Sequence, residues 1–329
     1  MSIFDQKVIK YEMKPLSSLE KVFPDETPVY RMECQMLSGL WGETVSFQVA
    51  YTGDFVMRER LDVRVVSELA EHVHVRTVEM VPVGRATNGI VDDNYLKTTS
   101  GLYPDLLKDL KDGKVIVYSR QWRSLWVDVD ITNEIPAGEY EIELQLIKED
   151  EVVCSAKQKV TVIGTELPKL DIMHTEWMHA DCLADYYHVE VFSEEHWKLL
   201  ENYFQEYVKR DCNMMLTPLF TSPLDTAIGL ERTTCQLIDV EVKDGEYVFG
   251  FEKLKRWIDL CKKCGIEYFE MSHLFSQWGA KYAPKVVATV NGKKEKIFGW
   301  HTPAVGEYTK FLESFLPQLT AKLRKWEIA

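Results

Sequence analysis

Between Met173 and Trp197 the chain gathers His174, Glu176, Trp177, His179, Asp181, Asp185, Tyr186 and Tyr187, and a helix-start signal follows at Ser193. Aromatic rings offer flat apolar faces to sugar C–H groups, while carboxylates and imidazoles hydrogen-bond hydroxyls. Such crowding between a strand end and a helix start is the chemistry of a sugar-binding cleft. The competing reading is an irregular loop whose polar groups satisfy the backbone. On an extended strand His179 and Asp181, two apart, face one way. Glu270 and His273 leave a later strand, where they are placed to meet sugar hydroxyls. Trp177, Trp278 and Trp300 lie at strand exits or in strand-to-helix loops and are candidates for stacking on a sugar ring. Trp197, Trp257 and Trp326 fall on apolar helix stripes and read as core. Arg232 and Asp225 are secondary candidates, and His188 and His196 read as structural.

The elements that must position these groups change character midway. Period-two alternation is clear in Glu43–Tyr51, Leu61–Val66, His72–Val81, Ser124–Ile131, Glu139–Ile147 and Val152–Ile163, with turn signals between them and a charged hairpin tip at Lys148–Glu151. This predicts an all-β sandwich over residues 1–165. Trp122, Trp126 and Tyr140 read as its core or edge aromatics. A boundary falls at Gly164–Pro168, and residues 166–329 form the second domain.

There the order is strand (Leu170–Trp177), helix from Ser193, strand from Asn213, helix over Phe251–Cys264 and strand from Ile266. A last helix opens at Thr302-Pro303 and is kinked at Pro317. Trp197, Leu200, Tyr203, Phe204, Tyr207 and Val208 are the inward face of the first helix. Phe251, Leu254, Trp257, Ile258 and Cys261 are that of the second, which Gly265 ends with a left-handed cap. Long insertions, Thr221–Gly250 and Ser276–His301, follow the strands, the latter with a hairpin tip at Asn291-Gly292. Enlarged strand-to-helix loops on one face mark a (β/α) barrel. Such a barrel takes roughly 250 residues and eight units. Three units are legible before Ala329, so the expected fold class is mixed: a β-sandwich followed by an incomplete (β/α)8 TIM-type barrel.

Composition narrows the partners. The 329 residues are 46% hydrophobic and 28% charged, ordinary for a soluble globular protein, and the formal net charge of -13 argues against nucleic acid or an anionic membrane surface. Neither a secretory signal nor an apolar run long enough to cross a bilayer is legible, which places the chain in the cytoplasm. The 7 cysteines are odd in number and irregularly spaced, against a disulfide framework. Cys261 and Cys264 sit at a helix C-terminus, where the dipole disfavours a thiolate, so they read as structural. No phosphate-binding, nucleophile-elbow or H-E-x-x-H zinc-protease motif occurs, and no cofactor or metal is expected.

Three blocks carry a family likeness: Glu176–Tyr187 (EWMHADCLADYY), Asn213–Val240 (NMMLTPLFTSPLDTAIGLERTTCQLIDV) and Lys281–Pro303 (KYAPKVVATVNGKKEKIFGWHTP). Residues from about 170 to 329 resemble the first part of the catalytic domain of glycoside hydrolase family 123, and the sandwich resembles that family's N-terminal domain. The resemblance implies a β-N-acetylgalactosaminidase with a retaining, substrate-assisted mechanism. The 2-acetamido oxygen attacks the anomeric carbon, one carboxylate holds the acetamido N–H, and its neighbour is general acid and then base. It therefore implies a carbohydrate partner with an N-acetylhexosamine unit. In the family the two carboxylates are an adjacent Asp-Glu followed by Pro on the next barrel strand. The Asp-Glu steps here, Asp25-Glu26 and Asp150-Glu151, lie in the sandwich half and do not correspond. The expectation is a C-terminally truncated relative with no catalytic residue of its own, inactive as a hydrolase, and self-associating through an open barrel edge. The alternatives are a non-catalytic carbohydrate-binding or interaction remnant of the fold and, on the pair His179-x-Asp181, a metal-dependent barrel hydrolase.

Overall fold

In a computed structural model the chain divides into two compact units, residues 1–169 and 170–329. The structure describes residues 10–28, 36–54, 58–87, 89, 91, 95–169, 171–224, 226–227, 229–277 and 279–328.

Alternating apolar residues build two five-stranded sheets in the first unit. One runs β1 (Lys10–Ser17), β3 (Thr44–Asp54), β8 (Arg123–Asp130), β5 (Val73–Val83) and β6 (Gly101–Asp109), every neighbour antiparallel. The other runs β2 (Met36–Trp41), β10 (Glu151–Glu166), β9 (Gly138–Lys148), β4 (Glu59–Val66) and β7 (Lys114–Val117), with β2 parallel to β10. Inward residues from both sheets form one buried cluster: Phe47 and Val49 on β3, Leu125 and Val127 on β8, Ile142 and Leu144 on β9, Val160 and Val162 on β10. Two sheets sharing a core are a sandwich. On β8 the opposite side is polar and equally ordered. Asp128 takes hydrogen bonds from Ser46 (2.6 Å) and Trp126 Nε1 (2.7 Å) and is ion-paired with Arg76. The charged tip between β9 and β10 is a two-residue turn with Glu149 and Asp150 both at positive φ. The expected boundary segment is partly strand, because β10 continues to Glu166 and pairs there with Trp41.

The second unit pairs β11 (Met214–Thr217) in parallel with β14 (Tyr268–Met271). Between them in sequence lies α3 (Glu252–Cys264), ended by Gly265 at φ 102°. Ahead of β11 stand α1 (Ala180–Tyr187) and α2 (Glu194–Val208), the latter capped by the Ser193 hydroxyl accepting from His196 N–H at 3.2 Å. Trp197, Leu200 and Phe204 of α2 and Leu254, Trp257, Ile258 and Cys261 of α3 are buried together. Tyr203, expected inward, is exposed. The strand expected at Leu170–Trp177 does not form over the described residues. Side chains satisfy its backbone instead of a ladder: Asn213 Oδ1 accepts from His174 N–H (2.8 Å), Asn213 Nδ2 donates to Ile172 O (2.8 Å), and the Tyr207 hydroxyl accepts from Glu176 N–H (2.8 Å).

The two insertions are not loops. They supply β12 (Asp239–Lys243), β13 (Glu246–Gly250), β15 (Val286–Val290) and β16 (Lys293–Phe298), which combine in one sheet ordered β13-β12-β15-β16. Asn291 and Gly292, both at positive φ, turn β15 into β16 as their types require. Phe249 and Phe298 pack on Phe311 of α4 (Glu307–Lys325), with ring centroids 5.5 and 5.1 Å apart. This helix begins at Glu307, not at Thr302-Pro303. Thr302 instead closes a turn with Gly299, donating N–H to its carbonyl at 2.8 Å. The helix runs on through Pro317.

Trp257 is wholly buried while Tyr203 is 38% exposed. Trp257→Ala should cost about 3–5 kcal/mol, whereas Tyr203→Ala should stay within about 1 kcal/mol. Denaturant unfolding of both variants reads the difference, and equal costs would overturn the assignment of the α2 and α3 faces.

Candidate functional site

Three of the expected residues meet where β14 ends. Trp177 Nε1–H donates to Glu270 Oε2 at 3.0 Å, and its ring stands edge-on to His273 with centroids 5.5 Å apart. Glu270 belongs to β14, and His273 follows Ser272, whose hydroxyl accepts from Leu219 N–H at 3.1 Å. Ser272 N–H also donates to Thr217 O, so the ends of β11 and β14 are tied to each other. Trp177 keeps 46% of its surface exposed. A fixed indole with a free face, a carboxylate and an imidazole together can hold a polar ligand with an apolar face. Trp278 lies outside the described residues, as does Asp225.

The other expected residues stand apart from this trio. His179 is the N-cap of α1 and Asp181 lies in its first turn, so they do not share a strand face. Asp181 is engaged by Arg232, whose Nε and Nη2 donate to its two oxygens at 2.8 and 3.2 Å. Asp181 is buried and the Arg232 side chain is 10% exposed, and Arg232 also reaches Leu224 O (3.3 Å) and Cys182 Sγ (3.0 Å). Burial works against the guanidinium charge, but Asp181 outweighs it and raises the Arg232 pKa. A carboxylate held this way by both oxygens is a poor metal ligand, which removes the physical basis of the paired-ligand reading. Tyr186 and Tyr187 close α1 with rings edge-on at 5.0 Å, and Tyr187 Oη lies 3.0 Å from Tyr203 Oη. They form a surface patch whose contacts run to one another and to α2.

Trp300 belongs to the insertion. Its Nε1–H donates to Leu230 O at 2.8 Å. The adjacent Glu231 pairs with Lys296 (2.6 Å) and Lys285 (3.5 Å), and Thr233 donates to Asp185 (2.9 Å). The stretch Leu230–Thr233 is thus anchored at every residue, with Arg232 as its pivot. The sequence signal for Arg232 was a cation in a long insertion; for Glu231 there was none. His196, expected to be structural, is wholly buried: Nδ1 accepts from Phe192 N–H (2.9 Å) and Nε2 faces Ala180 O (3.0 Å). A separate concavity of about 760 Å³ lies in the first unit.

Residues 177–328 match the family described as glycoside hydrolase 123, catalytic domain. The second unit belongs to glycoside hydrolase family 123. A solved family 123 glycoside hydrolase from Clostridium perfringens, described in terms of glycolipid glycan hydrolysis, has the same fold over 97% of this chain, with a TM-score of 0.71 at 13% identity. The chain spans 57% of that structure's length. A β-glucosidase from Listeria innocua overlaps 49% of this chain and 17% of its own at 11% identity, and a TM-score of 0.23 gives that overlap no weight. No curated protein is matched. Among the described residues no helix is long and apolar enough to cross a membrane.

Two stability predictions follow from this family 123 unit. Asp181→Ala leaves a buried guanidinium without its partner and should cost about 3–5 kcal/mol. The double variant Asp181→Leu/Arg232→Met should recover most of that, and a single variant as stable as the parent would refute the clamp. For His196, burial holds the folded pKa below the ordinary 6.5, with the Ala180 carbonyl and Asp181 opposing in part. The unfolded chain therefore binds the proton first, and stability present above 6.5 is lost as pH falls through and below it. Melting curves of the parent and His196→Gln between about pH 7.5 and 5.5 should show a steeper decline for the parent; parallel curves would contradict it.

Proposed function

We propose that this chain handles β-linked N-acetylgalactosamine through its family 123 unit, with the Trp177–Glu270–His273 trio as the centre of the sugar cleft. The observation that carries this is the indole N–H of Trp177 fixed on Glu270. It orients an aromatic platform before any ligand arrives, which lowers the ordering cost of binding. The free Glu270 oxygen and the His273 ring are then placed for hydroxyls. His179, Tyr186, Tyr187 and Trp300 belong to outer walls of the same cleft in this reading, and Asp181 acts through Arg232 as a positioning residue. The parallel β11–β14 pair with α2, α3 and α4 is part of a (β/α)8 barrel. The glycolipid glycans named for the Clostridium perfringens enzyme fit such a substrate class, and a reducing cytoplasm suits the six described cysteines, all free.

In the substrate-assisted mechanism of the family the sugar's acetamido oxygen is the nucleophile, and the protein supplies an adjacent Asp-Glu. Neither such step of this chain fits that role. Asp25 and Glu26 hold Lys97 (3.7 and 2.7 Å), and Asp150-Glu151 lies at the β9–β10 turn. A proton donor is required for departure of the aglycone. These residues therefore favour sugar binding without turnover by this chain, the non-catalytic form of the same reading. The outer edges of β11 and β14 are the route for self-association.

The test is calorimetric titration of the chain with N-acetylgalactosamine and an aryl N-acetyl-β-galactosaminide, with light scattering of the same samples. Binding should weaken about fivefold to tenfold in Trp177→Ala and fall in Glu270→Gln. Release of the aryl group at an enzymatic rate would refute the missing-donor argument, and binding indifferent to both substitutions would refute the cleft.

A further inference from the structure

A wide concavity belongs to the sandwich, where β6 and β7 end the two sheets. Its volume is about 760 Å³, within the range of small-ligand sites. Strands of both sheets line it. Six of its sixteen lining residues are Lys or Arg and three are Asp or Glu, the reverse of the chain as a whole with 39 basic and 52 acidic residues.

Several of these charges are already engaged. Arg60 pairs with Asp112 at 2.8 Å, Lys114 with Asp62 at 3.2 Å, and Glu59 with Lys148 at 3.0 Å. Lys108, Lys111 and Arg123 have no carboxylate partner among the described residues. Arg123 lies over the Tyr118 ring, 5.0 Å from its centroid, and gives Nη2–H to Gln121 at 3.1 Å. Its Nε is buried and meets no acceptor among the described residues. A guanidinium held over an aromatic ring, with N–H groups beyond the one given to Gln121, is pre-organised for a planar or tetrahedral oxyanion. The floor is not uniformly basic. Glu79, which accepts the Thr77 hydroxyl at 2.8 Å, and Asp109 add acceptors suited to hydroxyl groups.

We propose that this groove binds a saccharide bearing an oxyanion, a carboxylate or a sulfate, with Arg123, Lys108 and Lys111 on the anion and Glu79 and Asp109 on the hydroxyls. Mixed charge beside an aromatic ring separates this from a bare phosphate site, which would have no use for carboxylates. The site stands in the first unit and does not depend on the family 123 cleft.

The test uses the whole chain carrying Trp177→Ala, which weakens the second unit's cleft, and probes without an acetamido group. Titrations compare glucuronosyl-glucose with cellobiose, glucose 6-sulfate with glucose, and inorganic sulfate alone. At least one acidic sugar should bind about tenfold more tightly than its neutral match, more weakly as salt rises. The exposed pair Lys108→Ala/Lys111→Ala should lose about tenfold, Arg123→Gln should lose more, and Lys157→Ala, on β10 outside the groove, should change nothing. The pair variant keeps the test decisive even if Arg123→Gln does not fold. The preferred acidic sugar tells carboxylate from sulfate. Equal binding of acidic and neutral sugars, no binding of either acidic sugar, inorganic sulfate binding as tightly as the acidic sugars, or an unaffected lysine pair would each overturn the proposal.

Discussion

The buried pair between Asp181 and Arg232 is the constraint on which the second unit's loop face depends. Two charges taken out of water are expensive, and the geometry has to repay that cost. Here it does so with two hydrogen bonds between the groups and further acceptors at Leu224 and Cys182. Because Arg232 sits in the middle of the first insertion, the pair fixes that insertion against the start of α1. Its neighbours then fall into place: Leu230 receives the Trp300 indole, Glu231 takes two lysines, and Thr233 reaches Asp185. The pair is specific rather than merely adhesive, since another register of the insertion would strand a charge in the interior.

The trio at the end of β14 is built in the opposite way, from exposed groups on a rigid base. Ser272 and Thr217 join the two strand ends, and Tyr308 gives its hydroxyl to Leu274 O at 2.6 Å, which secures the chain just beyond His273. Rigidity comes from the backbone beneath while the side chains stay accessible. The sheet formed by the two insertions serves the same end. Gln236 donates to Ile238 O and Val287 O and accepts from Val287 N–H, linking the first insertion to β15 through a side chain.

Local signals carried much of this into the sequence. The Ser193 cap, the Gly265 stop and the Asn291-Gly292 turn are read from single residues whose preferred backbone is unusual, and each is realised. The buried face of α3 is legible for a similar reason, because a helix repeats its environment every few residues. What failed to be legible was set by distant partners. The stretch before Trp177 has a strand-like composition, yet Asn213 and Tyr207 claim its backbone groups. The insertions looked like loops because each half of their sheet needs the other. Asp181 looked like a ligand because nothing near it in sequence announces Arg232. The meeting of Trp177 with Glu270 was legible only as shared placement at strand exits, not as a hydrogen bond.

The parallel pairing of β2 with β10 sets an order of events in synthesis. Met36 lies opposite Lys159 and Trp41 opposite Glu166, so one edge of a sheet joins segments more than a hundred positions apart. A growing chain releases β2 early, and its partner leaves the ribosome only after every other strand of the sandwich. Until then the β2 backbone has no ladder to join. Non-local closure of this kind is slow. The first unit therefore completes itself late and from its outer edge, and the interval before β10 emerges is when a chaperone or a neighbouring nascent chain has access to that strand.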